Sequence, residues 1–197
     1  MLDSILTLLV LGLLAANSLA LLLSRAWRWT LVVLGAQYLL AFFLVSASWP
    51  LELAAVKLVA GWIVTAILGL TLLNLPEIPQ ESQAHFPRSP AFFILVAGVV
   101  AVMVVGMAPE LVSWSRQFNI AQAWGGLFLI GIGVALVGLS DSNFRNILGL
   151  LMLLSGFEIV YAAVETSILV AGLLAILNLG VALIGSYLMQ SANSEPA

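Results

Sequence analysis

The chain has 197 residues, of which 63% are hydrophobic and 8% are charged, and its formal net charge is −3. A soluble domain carries roughly 25% charged residues because it must cover its surface, so this composition predicts a chain whose surface mostly faces lipid. The sequence has no basic patch, no cysteine and a single histidine, His85, so we expect no nucleic-acid partner, no disulfide, no metal cluster and no cofactor.

Seven apolar segments follow one another along the chain, each about long enough to cross a hydrocarbon core of about 30 Å. Lipid leaves no unpaired backbone groups, and no alternating strand pattern recurs, so the predicted fold is an all-α, polytopic transmembrane helix bundle of about seven spans. The first segment lacks a basic start and is too long for a cleaved signal peptide, so we predict that it is retained. The predicted spans are approximately Leu2–Leu23, Trp29–Ala47, Leu51–Leu75, Ala91–Met107, Ala121–Leu139, Ile147–Val164 and Ser167–Met189.

The connections predict how the chain is organised. The segment after the third span cannot be a continuous helix, because it contains four prolines. They are Pro76, Pro79, Pro87 and Pro90. The stretch Pro109–Gln117 is predicted to be a short helix at the membrane surface. The predicted parts are an N-terminal three-helix part over residues 1–78, a hydrated connector over 79–90, a four-helix part over 91–190 and a polar tail over 191–197.

The arginines predict the orientation. If successive segments alternate in direction, four arginines fall on one side of the membrane and Arg116 falls on the other. The four are Arg25, Arg28, Arg88 and Arg145. The positive-inside rule then places the N-terminus outside and the C-terminus in the cytoplasm. We therefore expect a multi-pass protein of the cell's inner (plasma) membrane, surrounded by lipid.

Small residues recur at helical spacing in several spans. Such faces let helix backbones approach closely, within one chain or against other chains. The residues are Gly12, Ala16 and Ala20; Gly61, Thr65 and Gly69; Gly131 and Ala135; Ala171 and Ala175.

Lys57 and Glu158 are ionisable residues inside predicted spans. A charge near the bilayer centre costs about 2.5–3.5 kcal/mol on insertion scales, so a retained charge needs a partner or a function. Lys57 lies in the outer part of the third span. In one interpretation, the long side chain of Lys57 lets its ammonium reach the membrane interface. In the other, the ammonium stays inside the bundle and alternates between protonated and neutral forms. Glu158 is predicted near the middle of the sixth span, too deep for its short side chain to reach water.

The predicted topology puts Lys57 and Glu158 in the outer halves of their spans, so we expect them to pair. Glu165 is expected on the same helix face as Glu158 and closer to water, which makes the three residues candidate stations of a proton relay. The alternatives are a purely structural ion pair and a Glu158 that burial keeps protonated. Further intramembrane polar residues either extend a hydrated chain or make ordinary interhelical hydrogen bonds: Gln37, Asn17, Thr65 and Asn178.

The last three spans resemble a known subunit. The segment Asn143–Gly149, which reads Asn-Phe-Arg-Asn-Ile-Leu-Gly and leads to Glu158, resembles the second helix of the K subunit of NADH–quinone oxidoreductase. There, an arginine–asparagine element enters a glycine-bearing helix that contains a carboxylate. The segment Leu177–Leu183 is similar to that subunit's third helix, and the resemblance covers the chain from Ala121 onward.

The first three spans contain Gln37 in the second span, and Lys57 followed by a proline-containing exit in the third. With these features the whole chain resembles hydrogenase-4 component E, a membrane subunit of complexes related to formate hydrogenlyase that ends in a K-like module. The second-helix glutamine of that family is matched by Gln37. Its third-helix lysine and proline-containing exit are similar to Lys57–Val59 and Pro76–Gln80.

The carboxylate positions of both relatives are occupied here by apolar residues. The two K-subunit positions fall near Leu151 and Ile176, and the component E position falls near Leu154. Glu158 lies about one turn beyond Leu154 on one helical face, so a shifted carboxylate can reach the same water path.

The resemblance implies a membrane-arm subunit of a hydrogenase-4 or complex-I-like energy-converting oxidoreductase. Such a subunit contributes to proton (or sodium ion) translocation while electrons move elsewhere, with other membrane subunits as partners and no catalytic residue or redox centre of its own. The expected relay residues are Glu158, Lys57 and Glu165, supported by Gln37, Asn178 and Arg145. Two alternatives stay open: a structural or assembly scaffold without ion relay, and a stand-alone ion carrier.

Overall fold

The computed structural model of the chain describes residues 2–24, 26–75, 89–114 and 119–194. Across these residues the chain forms seven α-helices. They are α1 (Leu2–Leu23), α2 (Trp27–Val45), α3 (Leu51–Asn74), α4 (Pro90–Trp114), α5 (Ile120–Leu139), α6 (Asn143–Ala162) and α7 (Ile168–Ser194).

All seven helices of the described residues are long and apolar enough to cross a membrane. The shortest, α2, has 19 residues, which at 1.5 Å per residue gives about 28 Å, close to the hydrocarbon thickness. The least apolar, α6, still has a mean hydropathy of 1.4. The predicted all-α bundle of seven spans is therefore confirmed, whereas the placement of the N-terminus outside and the C-terminus in the cytoplasm stays a prediction.

Local sequence explains where several helices begin. The Asn119 side chain accepts a hydrogen bond from the Ala121 backbone N–H at 3.1 Å, and the Ser142 hydroxyl accepts one from the Arg145 N–H at 3.3 Å. Each side chain satisfies a backbone donor that has no partner inside its helix. Pro50 precedes α3, where its missing N–H costs no helical hydrogen bond.

Four helices form a ring at the centre of the bundle. α2 packs against α3, α3 against α7, α7 against α6, and α6 against α2. α3 and α6 face each other across this ring, and no pair of their Cα atoms lies within 8 Å. The outer helices α1 and α5 contact each other and α2, and α4 packs against both. The three-helix and four-helix parts thus share one bundle.

The closest helix pair is α5 and α6, which cross through glycines. Gly126 and Gly133 of α5 face Gly156 and Gly149 of α6. A Cβ atom on Gly133 would lie 2.7 Å from the Gly149 carbonyl oxygen, and a Cβ on Gly149 would lie 2.8 Å from the Gly133 oxygen. A hydrogen atom at these positions lets the two backbones touch, which is how membrane helices gain packing energy.

The small-residue faces expected from the sequence have mixed outcomes. Gly61 packs against the Tyr38 ring and Gly131 against Val100 of α4, while a Cβ on Gly12 would meet no described atom within 4 Å. The four glycines of the α5–α6 contact were not among the expected faces. In each of those two helices the glycines are seven residues apart, whereas the expected faces have small residues at every fourth position.

The prediction of a separate surface helix over Pro109–Gln117 is wrong for its first six residues. α4 continues without a break through Pro109 to Trp114. Membrane helices tolerate proline because neighbouring groups satisfy the freed carbonyl. Ala108, just before the proline, is fully buried and packs in one cluster with Ala123 of α5, which holds this part of α4 against the bundle.

At the C-terminal end, α7 continues through Ser194, so the first four residues of the predicted polar tail are helical. Arg28 lies near the start of α2, with its guanidinium carbon 5.3 Å from the centre of the Trp27 ring. Several predicted features lie outside the described residues: most of the connector with its first three prolines and His85, the end of the predicted surface helix, and Arg25, Arg88 and Arg116.

We expect Gly133→Ala to destabilise the bundle by about 1–3 kcal/mol, the usual penalty for overpacking, because the new methyl group meets the Gly149 carbonyl. Gly138→Ala in the same helix is the matched control, since a Cβ there meets nothing described within 4 Å. Its effect should stay within about 0.5 kcal/mol. Unfolding of the purified protein in mixed micelles measures both variants, and equal stabilities would contradict the backbone contact.

Candidate functional site

The interior of the helix ring contains an ion pair. The Lys57 ammonium on α3 donates to one carboxylate oxygen (Oε2) of Glu158 on α6. Both side chains are 5% exposed. Because no Cα atoms of α3 and α6 lie within 8 Å of each other, these two side chains bridge the ring between the two backbones. The pairing expected from the sequence is confirmed.

The second oxygen of Glu158 is also bonded. The Asn178 side-chain amide on α7 donates to Glu158 Oε1, and the same amide nitrogen donates to the Leu174 carbonyl at 3.1 Å. Each carboxylate oxygen therefore has a donor from a different helix. This satisfies the requirement that a charge removed from water be both paired and hydrogen-bonded.

Tyr38 supplies the α2 side of the site. Its hydroxyl donates to Asn178 Oδ1 at 3.5 Å, and Ser155 of α6 hydrogen-bonds to the same hydroxyl. The Lys57 nitrogen lies 5.7 Å from the centre of the Tyr38 ring, within the range of a cation–π interaction. Gly61, one turn after Lys57, leaves room for this ring, because any Cβ there would overlap it. One polar cluster thus joins all four ring helices.

The cluster lies toward one end of the bundle. Glu158 is four residues before Ala162, where α6 ends, which corresponds to about 6 Å at 1.5 Å per residue. Lys57 is six residues, or about 9 Å, from the start of α3 at Leu51. The expectation that Glu158 lies near the middle of its span is wrong, because α6 begins at Asn143 and ends at Ala162.

A small cavity adjoins the ion pair on the side of this nearer end. Its volume is about 10 Å³, room for about one water molecule. Trp49, in the turn between α2 and α3, is part of its wall and is 6% exposed. The other lining residues are Val45, Lys57, Ala60, Glu158, Ala171, Leu174, Ala175 and Asn178.

The remaining candidate residues lie elsewhere. Glu165 is not on the Glu158 helix face, because α6 has ended three residues earlier; its backbone oxygen accepts a hydrogen bond from the Trp49 indole at 2.7 Å. Gln37 lies on α2 and its Oε1 accepts a 2.6 Å hydrogen bond from Asn17 of α1. Its Nε2 has no hydrogen-bond partner in the described part of the chain.

Arg145 is also separate from the ion pair. Its guanidinium donates to the Leu22 carbonyl at the end of α1, and its central carbon lies 5.7 Å from the centre of the Phe93 ring. These contacts tie α6 to α1 and α4 near the end of the bundle opposite to Glu158. Of the expected residues, the structure brings together Lys57, Glu158 and Asn178.

Sequence reasoning missed several residues around the site. The sequence contains features that could have predicted two of them: Tyr38 directly follows an intramembrane glutamine, and Ser155 precedes Glu158 by three residues on one helix face. No feature of the sequence distinguishes Trp49, because tryptophan is common at membrane interfaces. Gln122 was also missed; its buried amide nitrogen donates to the Leu44 carbonyl at 2.9 Å and to the Ser48 hydroxyl at 2.9 Å, which joins α5 to the end of α2.

Comparisons of the chain with protein-family models, with curated proteins and with solved structures gave no match. The chemistry of the site follows from its side chains. A proton that moves from the Lys57 ammonium to the Glu158 carboxylate converts an ion pair into a neutral amine and a neutral acid, so the net charge of the site is unchanged. Such an exchange avoids the large penalty for a net charge in hydrocarbon.

Removing one partner of the pair should destabilise the protein much more than removing both. We expect Lys57→Met to cost about 3–5 kcal/mol, because Glu158 then has no countercharge. The double variant Lys57→Met/Glu158→Leu should be within about 1 kcal/mol of the parent or more stable, since apolar packing replaces the pair.

Reversible unfolding of the purified chain in mixed micelles measures both variants. A double variant as unstable as Lys57→Met alone would show that the two charges do not depend on each other.

Proposed function

We propose that this protein is a membrane-arm subunit of a hydrogenase-4 or complex-I-like energy-converting oxidoreductase, and that the Lys57–Glu158 pair passes protons (or sodium ions) within that arm. The observation that carries the proposal is the ion pair itself, enclosed by four membrane-spanning helices and bonded on both carboxylate oxygens. Ionisable residues buried in membrane spans are rare and mark ion pathways and proton relays, which makes this pair a candidate functional site.

The donors around Glu158 favour protons over sodium. A sodium ion needs several oxygen ligands, but the Glu158 oxygens face the nitrogen donors of Lys57 and Asn178. Those donors suit a carboxylate that gains and loses a proton, because they stabilise its charged form and Lys57 can exchange a proton with it. The Tyr38 and Ser155 hydroxyls extend the hydrogen-bonded cluster across the ring.

The family assignment rests on the sequence resemblance to hydrogenase-4 component E and to the K subunit. The chain has no cysteine and one histidine, so electrons would travel through other subunits of the assembly. Its role would be to supply helices and a relay site to the arm, with other membrane subunits as neighbours in the inner membrane.

A structural scaffold is the competing function. The pairing of both Glu158 oxygens favours it, because a carboxylate that is bonded on both oxygens also fixes helix register without moving a proton. A stand-alone carrier is the other alternative, and ion flux through vesicles that contain this chain alone would favour it.

Glu158→Gln should reduce proton translocation by a factor of about 10² or more, the usual contribution of a positioned acid–base group. The amide keeps the size of the side chain and removes the proton exchange. Electron-transfer-driven proton uptake by inverted membrane vesicles that contain the assembled complex measures the effect. Glu52→Gln is the control, because Glu52 is an exposed carboxylate in the first turn of α3.

The double variant Lys57→Met/Glu158→Leu separates the two functions. A relay predicts normal assembly, judged by mass spectrometry of the gently solubilised complex, together with the loss of proton uptake. A scaffold predicts that proton uptake follows assembly, so that both are kept or both are lost. Full proton uptake by correctly assembled Glu158→Gln or double-variant complexes would refute the relay.

A further inference from the structure

Trp49 lies between the ion pair and the nearer end of the bundle. It is in the α2–α3 turn, 94% of its surface is buried, and it belongs to the wall of the cavity that also contains Lys57 and Glu158. Its indole N–H donates to the Glu165 backbone oxygen at 2.7 Å. Since Glu165 follows the end of α6, this bond joins the α2–α3 turn to the α6–α7 link across the opening of the ring.

The other direction from the site is filled with apolar side chains. Toward the far end of α3, Val64 and Leu68 are fully buried, and Leu72 is 2% exposed. Fifteen residues, or about 22 Å of helix, separate Glu158 from the start of α6 at Asn143, compared with about 6 Å to its other end. The short route between the ion pair and water therefore passes Trp49.

We propose that Trp49 is the gate of the relay site, and that protons reach the Lys57–Glu158 pair from the membrane face that carries the α2–α3 turn. This inference rests on the proposed relay for its purpose, although the route itself is a property of the fold. Trp49 is held in place by the packing of its buried ring and by one hydrogen bond to a main-chain oxygen in the α6–α7 link, so a change in that link moves the gate. Rotation of the indole away from Glu165 joins the small cavity to the membrane surface.

The absence of cysteine from the sequence allows single thiols to report access. Ala60→Cys places a thiol on the cavity wall one turn from Lys57. Ala47→Cys, in the exposed part of the α2–α3 turn, and Asp141→Cys, in the exposed α5–α6 link, mark the two membrane faces. The probe is a membrane-impermeant methanethiosulfonate with an ethylsulfonate group, added to right-side-out or inverted vesicles that contain the full chain.

We expect the Ala60→Cys thiol to react slowly in the parent background. Adding Trp49→Ala should raise its rate roughly tenfold or more, because the substitution removes both the buried ring in the cavity wall and its hydrogen bond to Glu165. The increase should appear in vesicles whose outer surface also exposes the Ala47→Cys thiol. Trp49→Phe, which keeps the ring but lacks the donor, should give a smaller increase in the same vesicles.

Trp29→Ala is the matched control. Trp29 is an exposed tryptophan in the first turn of α2, at the other end of the bundle, so its removal should leave the reaction of the Ala60→Cys thiol unchanged. An unchanged rate in both Trp49 variants would overturn the gate. So would an increase from the face that exposes the Asp141→Cys thiol.

Labelling does not require proton transfer, so its outcome is separate from that of the relay. If Trp49→Ala speeds labelling of the Ala60→Cys thiol while Glu158→Gln keeps full proton uptake, Trp49 controls access to the site but the site is not a proton relay. If the Trp49 variants leave the labelling rate unchanged while Glu158→Gln loses proton uptake, the relay is supported and Trp49 is not its gate.

Discussion

An ionised side chain in hydrocarbon must have both a countercharge and hydrogen bonds, and in the described part of this protein Lys57 and Glu158 meet that requirement together. The two residues are on helices whose Cα atoms are all more than 8 Å apart. Their pairing therefore fixes the width of the ring and the rotation of α3 and α6 about their axes. Asn178 adds α7 to the same constraint, and Tyr38 adds α2. One polar cluster thus contacts all four helices of the ring and favours one rotation of each.

Glycines make this geometry possible. Gly61 leaves space for the Tyr38 side chain between the four central helices. The α5–α6 glycines let α5 lie directly against α6. The second contact places α5 where Gln122 reaches the end of α2. Close backbone packing and buried polar bonds therefore act together: the glycines bring the helices close, and the polar groups select one arrangement among the many that close packing permits.

The site combines an enclosed ion pair with an exit that one side chain covers. Lys57 and Glu158 are buried, with both Glu158 oxygens bonded, whereas the route past Trp49 is closed by the packed indole and its hydrogen bond between two interhelical connections. A net intramolecular hydrogen bond is worth about 1 kcal/mol, less than the penalty of about 3–5 kcal/mol for removing one partner of the charge pair. A relay needs this division, because its acid–base groups must stay in place while access to water changes.

The sequence by itself determined the number of spans, their approximate ends and the two charges that had to meet, because hydropathy and the penalty for charge in lipid are local properties of the chain. It also suggested which halves of the spans contain Lys57 and Glu158. The tertiary structure decided the rest. Tyr38, Ser155 and Trp49 became part of the site through helix rotation and neighbour choice, and Glu165 left it because α6 ends at Ala162. Rotation in lipid depends on contacts between distant segments, such as Gly133 with Gly149, and residue spacing along a single helix does not encode them.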